Sequence, residues 1–206
     1  EGLEYAHNLR TETGEMMSLV HRDIKPSNLM LTNQGVMKVL DFGIARLTES
    51  DIRGVTLQTA QGQIVGTLGY MSPEQVIGDP AGIDARTDLY SLGAIMFELL
   101  TGRLPHNVKG LLLPEAVRVI REEEPSRLSS TAGGTRSTGR FDRDVETIVS
   151  KALEKEPKRR YGSAAEFAAD IRRYLSDQPI VARPASASYR LAKFAKRNRM
   201  LVGAVG

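Results

Sequence analysis

Apolar residues recur along the chain in two rhythms, one suited to helices and one to a short pair of strands. Residues 1–9 carry helical character, and Arg10 to Met17 forms a polar connector around Gly14. Leu29-Met30-Leu31-Thr32 and Val36-Met37-Lys38-Val39-Leu40, separated by Asn33-Gln34-Gly35, predict a short β-hairpin. From Ile44 to Ser72 the composition turns polar and rich in Gly, Thr and Gln, which predicts a long loop of the functional kind. Asp88 to Leu100 is apolar on nearly every face, so it predicts a buried central helix closed by Gly102. Pro114 to Glu124 predicts a further helix, and Ser126 to Arg140 a Ser/Thr/Gly surface linker. Asp142 to Glu156 is amphipathic, with Val145, Ile148, Val149, Ala152 and Leu153 on one stripe. Ser163-Ala164-Ala165-Glu166 is a capping-box pattern opening a helix to about Leu175, with Phe167, Ile171 and Leu175 spaced to pack. There is no internal repeat. The expected class is mainly α with one small hairpin, an α+β fold.

Composition narrows the partners. The 206 residues are 41% hydrophobic and 26% charged, which suits one sizeable core or a core plus a tail. Lys+Arg of 28 against Asp+Glu of 25 gives a net charge of +3, too small to imply a nucleic-acid partner. The pI near 9.2 reflects positive charge gathered near the end of the chain. The absence of cysteine excludes disulfides, thiolate zinc sites and a Cys nucleophile, and agrees with a reducing compartment. Glu1 to His7 reads as the middle of a helix without an initiator Met, and the apolar run Met200 to Gly206 stops abruptly. The expectation is a piece of a longer protein.

Chemistry concentrates in His21-Arg22-Asp23-Ile24-Lys25-Pro26-Ser27-Asn28 and, after the hairpin, Asp41-Phe42-Gly43. A hairpin between Asn28 and Asp41 brings its own ends together, so Asp23, Lys25, Asn28 and Asp41 should converge at one mouth. Two carboxylates and a carboxamide are hard oxygen ligands suited to Mg²⁺, and an ammonium suits a phosphate. Phosphoryl transfer needs such a set, because its catalysis is mostly positioning and neutralisation of oxygen charge.

These residues resemble the eukaryotic-like (Hanks-type) protein kinases, in their bacterial serine/threonine branch. The resemblance implies a kinase C-terminal lobe over residues 1–176, without the smaller N-terminal lobe. It implies that Asp23 accepts or orients the substrate hydroxyl proton and that Lys25 contacts the γ-phosphate. Asn28 and Asp41 would hold Mg²⁺ on ATP, while His21, Phe42 and Gly43 would be structural and Arg22 would receive an activation-loop phosphate. Lys25, two residues after Asp23, is the serine/threonine pattern. Gly66-Thr67-Leu68-Gly69-Tyr70-Met71-Ser72-Pro73-Glu74 resembles the end of an activation segment, with Ser72 where the family more often has Ala. Thr67 would face Asp23 and Lys25, Glu74 and Arg160 would form the family's ion pair, and Asp88 would hold the catalytic-loop backbone. Thr59 and then Thr56 are the first candidates for a regulatory phosphate, with Thr48 and Ser50 behind them.

The family's Gly-rich loop, strand Lys and helix Glu are missing, so this chain alone should bind ATP poorly while its parent should be active. Arg183, Arg190, Lys193, Lys196, Arg197 and Arg199 lie before the apolar end, with Tyr189, Leu191 and Phe194 interleaved. Residues 177–199 are therefore expected as a basic juxtamembrane linker, and 200–206 as the start of a transmembrane helix. Seven residues cannot cross a bilayer, which needs about twenty. The implied setting is a cytoplasmic kinase domain anchored by one span. Implied partners are proteins bearing Ser or Thr, ATP, and a second kinase copy for autophosphorylation. Two other readings are a pseudokinase scaffold, disfavoured by retention of the four polar residues, and a small-molecule phosphotransferase, disfavoured by the Gly66-to-Glu74 segment.

Overall fold

The computed structural model describes residues 2–17, 19–42, 67–131, 141–184 and 186–197. Gly43, Thr48, Ser50, Thr56, Thr59 and the 200–206 run lie outside the described residues.

Helix α1 (Gly2–His7) leads to the loop bearing His21 to Lys25, then to a 3-10 turn at Pro26–Asn28 and the hairpin β1 (Leu29–Leu31) and β2 (Met37–Val39). The strands pair antiparallel with Leu29 opposite Val39 and Leu31 opposite Met37. Their turn closes because Gly35 supplies φ +78° and Thr32 Oγ1 accepts from Val36 N–H at 3.1 Å. Helix α2 (Pro73–Ile77) starts with Pro73 in its first turn and ends at the left-handed Gly78.

Helix α3 (Ala85–Thr101) is the axis of the fold. Asp84 caps its N-terminus by accepting from Arg86 N–H, and Gly102 at φ +73° closes its C-terminus. Three apolar clusters form around it. Tyr90, Ala94 and Phe97 pack on Leu128, Val145, Val149 and Leu153. Leu89 packs on Ile148, Ala152, Tyr161, Phe167 and Ile180. Ile95 packs on Leu3 and Ile24, which seats α1 and the polar loop on the same helix. At Gly93 a β-carbon would stand 2.8 Å from the Ala152 β-carbon, so the close approach of α3 to α5 (Arg143–Ala152) requires glycine there.

Helix α4 (Leu113–Glu122) carries a separate apolar cluster with Leu68 and Val76. Short 3-10 turns at Leu128–Thr131 and Pro157–Arg159 flank α5, followed by α6 (Ala164–Leu175) and α7 (Ala187–Arg197). In α6, Leu175 is 73% exposed, contrary to the expected packing stripe. The inward stripe runs Phe167, Ile171, Tyr174 instead, because i+7 stays closer to the helix face than i+8. The capping box is also only half made. Ser163 Oγ accepts from Glu166 N–H at 3.2 Å, but the Glu166 carboxylate takes Gly162 N–H at 2.9 Å.

Residues 177–199, expected as a juxtamembrane linker, contain α7 and are held by two buried carboxylates, Asp144 under α7 and Asp170 under the turn before it. Asp144 (1% exposed) accepts from Tyr189 Oη at 2.8 Å and Lys193 Nζ at 2.7 Å. Asp170 accepts the N–H groups of Val181 and Ala182 at 2.7 and 2.8 Å. Among the described residues no helix is long and apolar enough to cross a membrane.

Candidate active site

The site is built on Asp88, which is fully buried in the first turn of α3. Its carboxylate accepts the backbone N–H of His21 at 2.8 Å and of Arg22 at 2.9 Å, and bonds His7 Nε2 at 2.8 Å. Arg22 stands at φ +67°, a left-handed conformation that costs a non-glycine residue on the order of 1–2 kcal/mol. Both of its peptide groups are held, since Gln75 Nε2 of α2 donates to the Arg22 carbonyl at 2.6 Å. That turn aims the next residues outward, while Ile24 plugs the core behind them.

Asp23 and Lys25 form an ion pair at 2.8 Å. Asn28 Nδ2 donates to both the carbonyl and the carboxylate of Asp23, at 2.8 and 2.9 Å. His21 Nε2 donates to the Leu40 carbonyl at 2.9 Å, its Nδ1 accepts from Asp23 N–H at 3.3 Å, and its ring lies 4.7 Å from that of Phe42. Leu40 N–H in turn donates to the Asn28 carbonyl at 2.8 Å. Asp41 lies between Leu40 and Phe42, which both contact His21, and stands at φ +51° and exposed. The structure joins Asp23, Lys25 and Asn28 directly. The Asp41 carboxylate makes no hydrogen bond to them among the described residues.

With Nδ2 committed to Asp23, the Asn28 side chain offers Oδ1 as its acceptor, which takes one long hydrogen bond from Ser27 Oγ at 3.5 Å. Oδ1 of Asn28 and the exposed carboxylate of Asp41 are hard donors that fit Mg²⁺, provided phosphate and water complete its shell. Among the described residues no group of three or more His, Asp or Glu side chains could hold a metal by itself.

The Glu74–Arg160 pair forms as expected, bidentate at 2.7 and 2.8 Å and buried. Arg160 also donates to the carbonyls of Glu154, Arg86 and Lys155, and Thr87 Oγ1 donates to Glu74 at 2.8 Å. Burial alone would raise the Glu74 carboxyl, but the Arg160 and Thr87 hydrogen bonds and the Arg160 charge hold it below its usual range. Thr67 is half-buried and has no hydrogen bond to Asp23 or Lys25 among the described residues.

The residue pattern left some partners unseen. His7 bonds Asp88, and His106 bonds Lys155 at 2.9 Å, neither of which the local sequence indicates. Gln75 and the Tyr70–Glu98 bond at 2.6 Å also carried no signal, because each joins distant parts of the chain.

Residues 1–171 match the family described as Protein kinase domain. The chain belongs to that family. It is 42% identical over 161 residues to the serine/threonine-protein kinase PknB of Mycobacterium leprae, covering 78% of this chain and 24% of that protein. Probable serine/threonine-protein kinases PknB are similar too: that of Corynebacterium glutamicum is 40% identical over 156 residues (75% of this chain, 23% of that protein). That of Bifidobacterium longum is 37% identical over 174 residues (84% and 22%). This kinase-family chain thus spans less than a quarter of the length of each of these relatives.

Proposed function

We propose that this chain is the larger catalytic lobe of a protein serine/threonine kinase, whose full-length parent transfers the ATP γ-phosphate to protein hydroxyls. The observation that carries this is the Asp23–Lys25–Asn28 cluster, held on the buried Asp88 through the left-handed Arg22.

In this reading Asp23 orients the substrate hydroxyl and takes its proton as the oxygen attacks the γ-phosphorus and the bond to ADP breaks. Lys25, already 2.8 Å from Asp23, places an ammonium where the transferring phosphoryl oxygens gather charge. Asn28 and Asp41 would hold Mg²⁺, which supplies neutralisation of phosphate charge when bound. The 67–77 segment, backed by α4 and tied down by Glu74–Arg160, presents the peptide. Lys25 and that segment favour Ser and Thr on proteins over small-molecule acceptors.

Met30, Leu31 and Met37 on the hairpin are exposed, as are Met16 and Met17, which supports a preceding lobe that covers them and completes the nucleotide site. Alone, the chain turns over little. Arg22 has no ion-pair partner among the described residues, which supports its role as receiver for a phosphate on Thr59 or Thr56. The basic residues of α7, followed in sequence by the 200–206 run, support a cytoplasmic domain attached to a membrane by a following span.

The parent protein, given γ-labelled ATP, magnesium and a protein acceptor, tests this by phosphoamino-acid analysis. Label on serine and threonine supports the reading; label confined to small molecules, or none, contradicts it.

A further inference from the structure

Two separate supports hold residues 67–77. One is apolar: Leu68 and Val76 pack with Val108, Ala116, Val119 and Ile120 on and beside α4. The other is the buried Glu74–Arg160 pair. Lys155 reaches both. Its carbonyl accepts from Arg160 Nη2 at 3.0 Å. Its ammonium donates to the Ile120 carbonyl in the last turn of α4, and to Nε2 of the buried His106 at 2.9 Å.

Both side-chain bonds suit a cation. The last carbonyls of a helix lack partners within it and carry its negative dipole end. Burial and the Lys155 charge pull His106 down to about 4, so near neutrality the ring is uncharged and Nε2 can accept. Burial is the main influence on the Lys155 ammonium and lowers it to about 8, with Glu124 and Glu123 favouring its charge and Arg160 opposing it. A lysine held at that cost, with one end on α4 and the other on the Arg160 anchor, is poorly explained as filler.

We infer that Lys155 is a positioning residue that couples the docking of α4 to the Glu74–Arg160 anchor, so that residues 67–77 are held as one unit. Its functional consequence rests on the kinase reading; the coupling itself does not.

The test uses Lys155→Met and Lys155→Arg in the full-length parent. Hydrogen exchange in Lys155→Met should rise by about tenfold in both 68–77 and 113–122, the loss expected for a charge-assisted bond. Lys155→Arg, which keeps a cation and its donors, should restore protection. Exchange unchanged, or raised only at 154–160, overturns the coupling. In steady-state assays Lys155→Met should raise KM for a peptide about tenfold with KM for ATP unchanged. An equal rise in both KM values, or no rescue by Arg, overturns the positioning role. Failure of the wild-type parent to transfer phosphate would strike the kinase reading instead, and the exchange result would still decide the coupling.

Discussion

The Asp88 carboxylate accepts the Arg22 backbone N–H at 2.9 Å, and Arg22 stands at φ +67°. A buried acid in the central helix thus holds the one turn that aims Asp23 and Lys25 outward. Replacing Asp88 by Ala leaves two backbone N–H groups and His7 without their acceptor. Urea denaturation should show a loss of at least about 3 kcal/mol. An unchanged midpoint would mean that water replaces the carboxylate without cost.

The Glu74–Arg160 pair predicts a non-additive result. Glu74→Ala should cost about 3–5 kcal/mol, because Arg160 stays buried and charged. Arg160→Met should cost a similar amount. The double variant should cost less than the two together, which a denaturation double-mutant cycle measures.

His106 predicts a pH dependence. Its pKa falls from 6.5 in the unfolded chain to about 4 when folded. Between those values the unfolded state binds more protons, so the His106 contribution is whole above about 6.5 and is lost as pH falls toward 4. The full loss is on the order of 3 kcal/mol. His106→Asn should flatten this part of the stability profile between pH 6.5 and 4, measured as the difference from wild type.

Asp144 predicts the behaviour of the C-terminal helix. Burial would raise its carboxyl, but Lys193, Tyr189 and Arg183 together hold it below the usual carboxylate range. Its contribution is present above that range and fades in acid. Asp144→Asn should speed amide exchange across residues 187–197 at neutral pH, with little change in α3. Equal protection in both proteins would show that Tyr189 packing alone seats α7.

These contrasts mark what the residue pattern could carry. Asn33-Gln34-Gly35 announces its hairpin because turn chemistry is local, and Asp88 to Leu100 announces a buried helix because its apolar residues surround it. Asp23, Lys25 and Asn28 are close in sequence, so their meeting was legible. His7 and Asp88 are 81 residues apart, and His106 and Lys155 are 49 apart, so nothing local marks either pair. Helix α7 falls within the expected 177–199 linker, and nothing local marks Tyr189 as inward-facing, because its partner Asp144 is 45 residues away.

The central claim is that Asp23 moves the proton while Asp41 serves the nucleotide, and paired measurements of kcat and ATP affinity on the full-length parent test it most directly. Asp23→Ala should lower kcat by about 10²–10⁴-fold with magnesium–ATP affinity nearly unchanged. Asp41→Ala should weaken magnesium-dependent ATP binding as well as transfer. Phosphate transfer at the wild-type rate in Asp23→Ala would contradict the account.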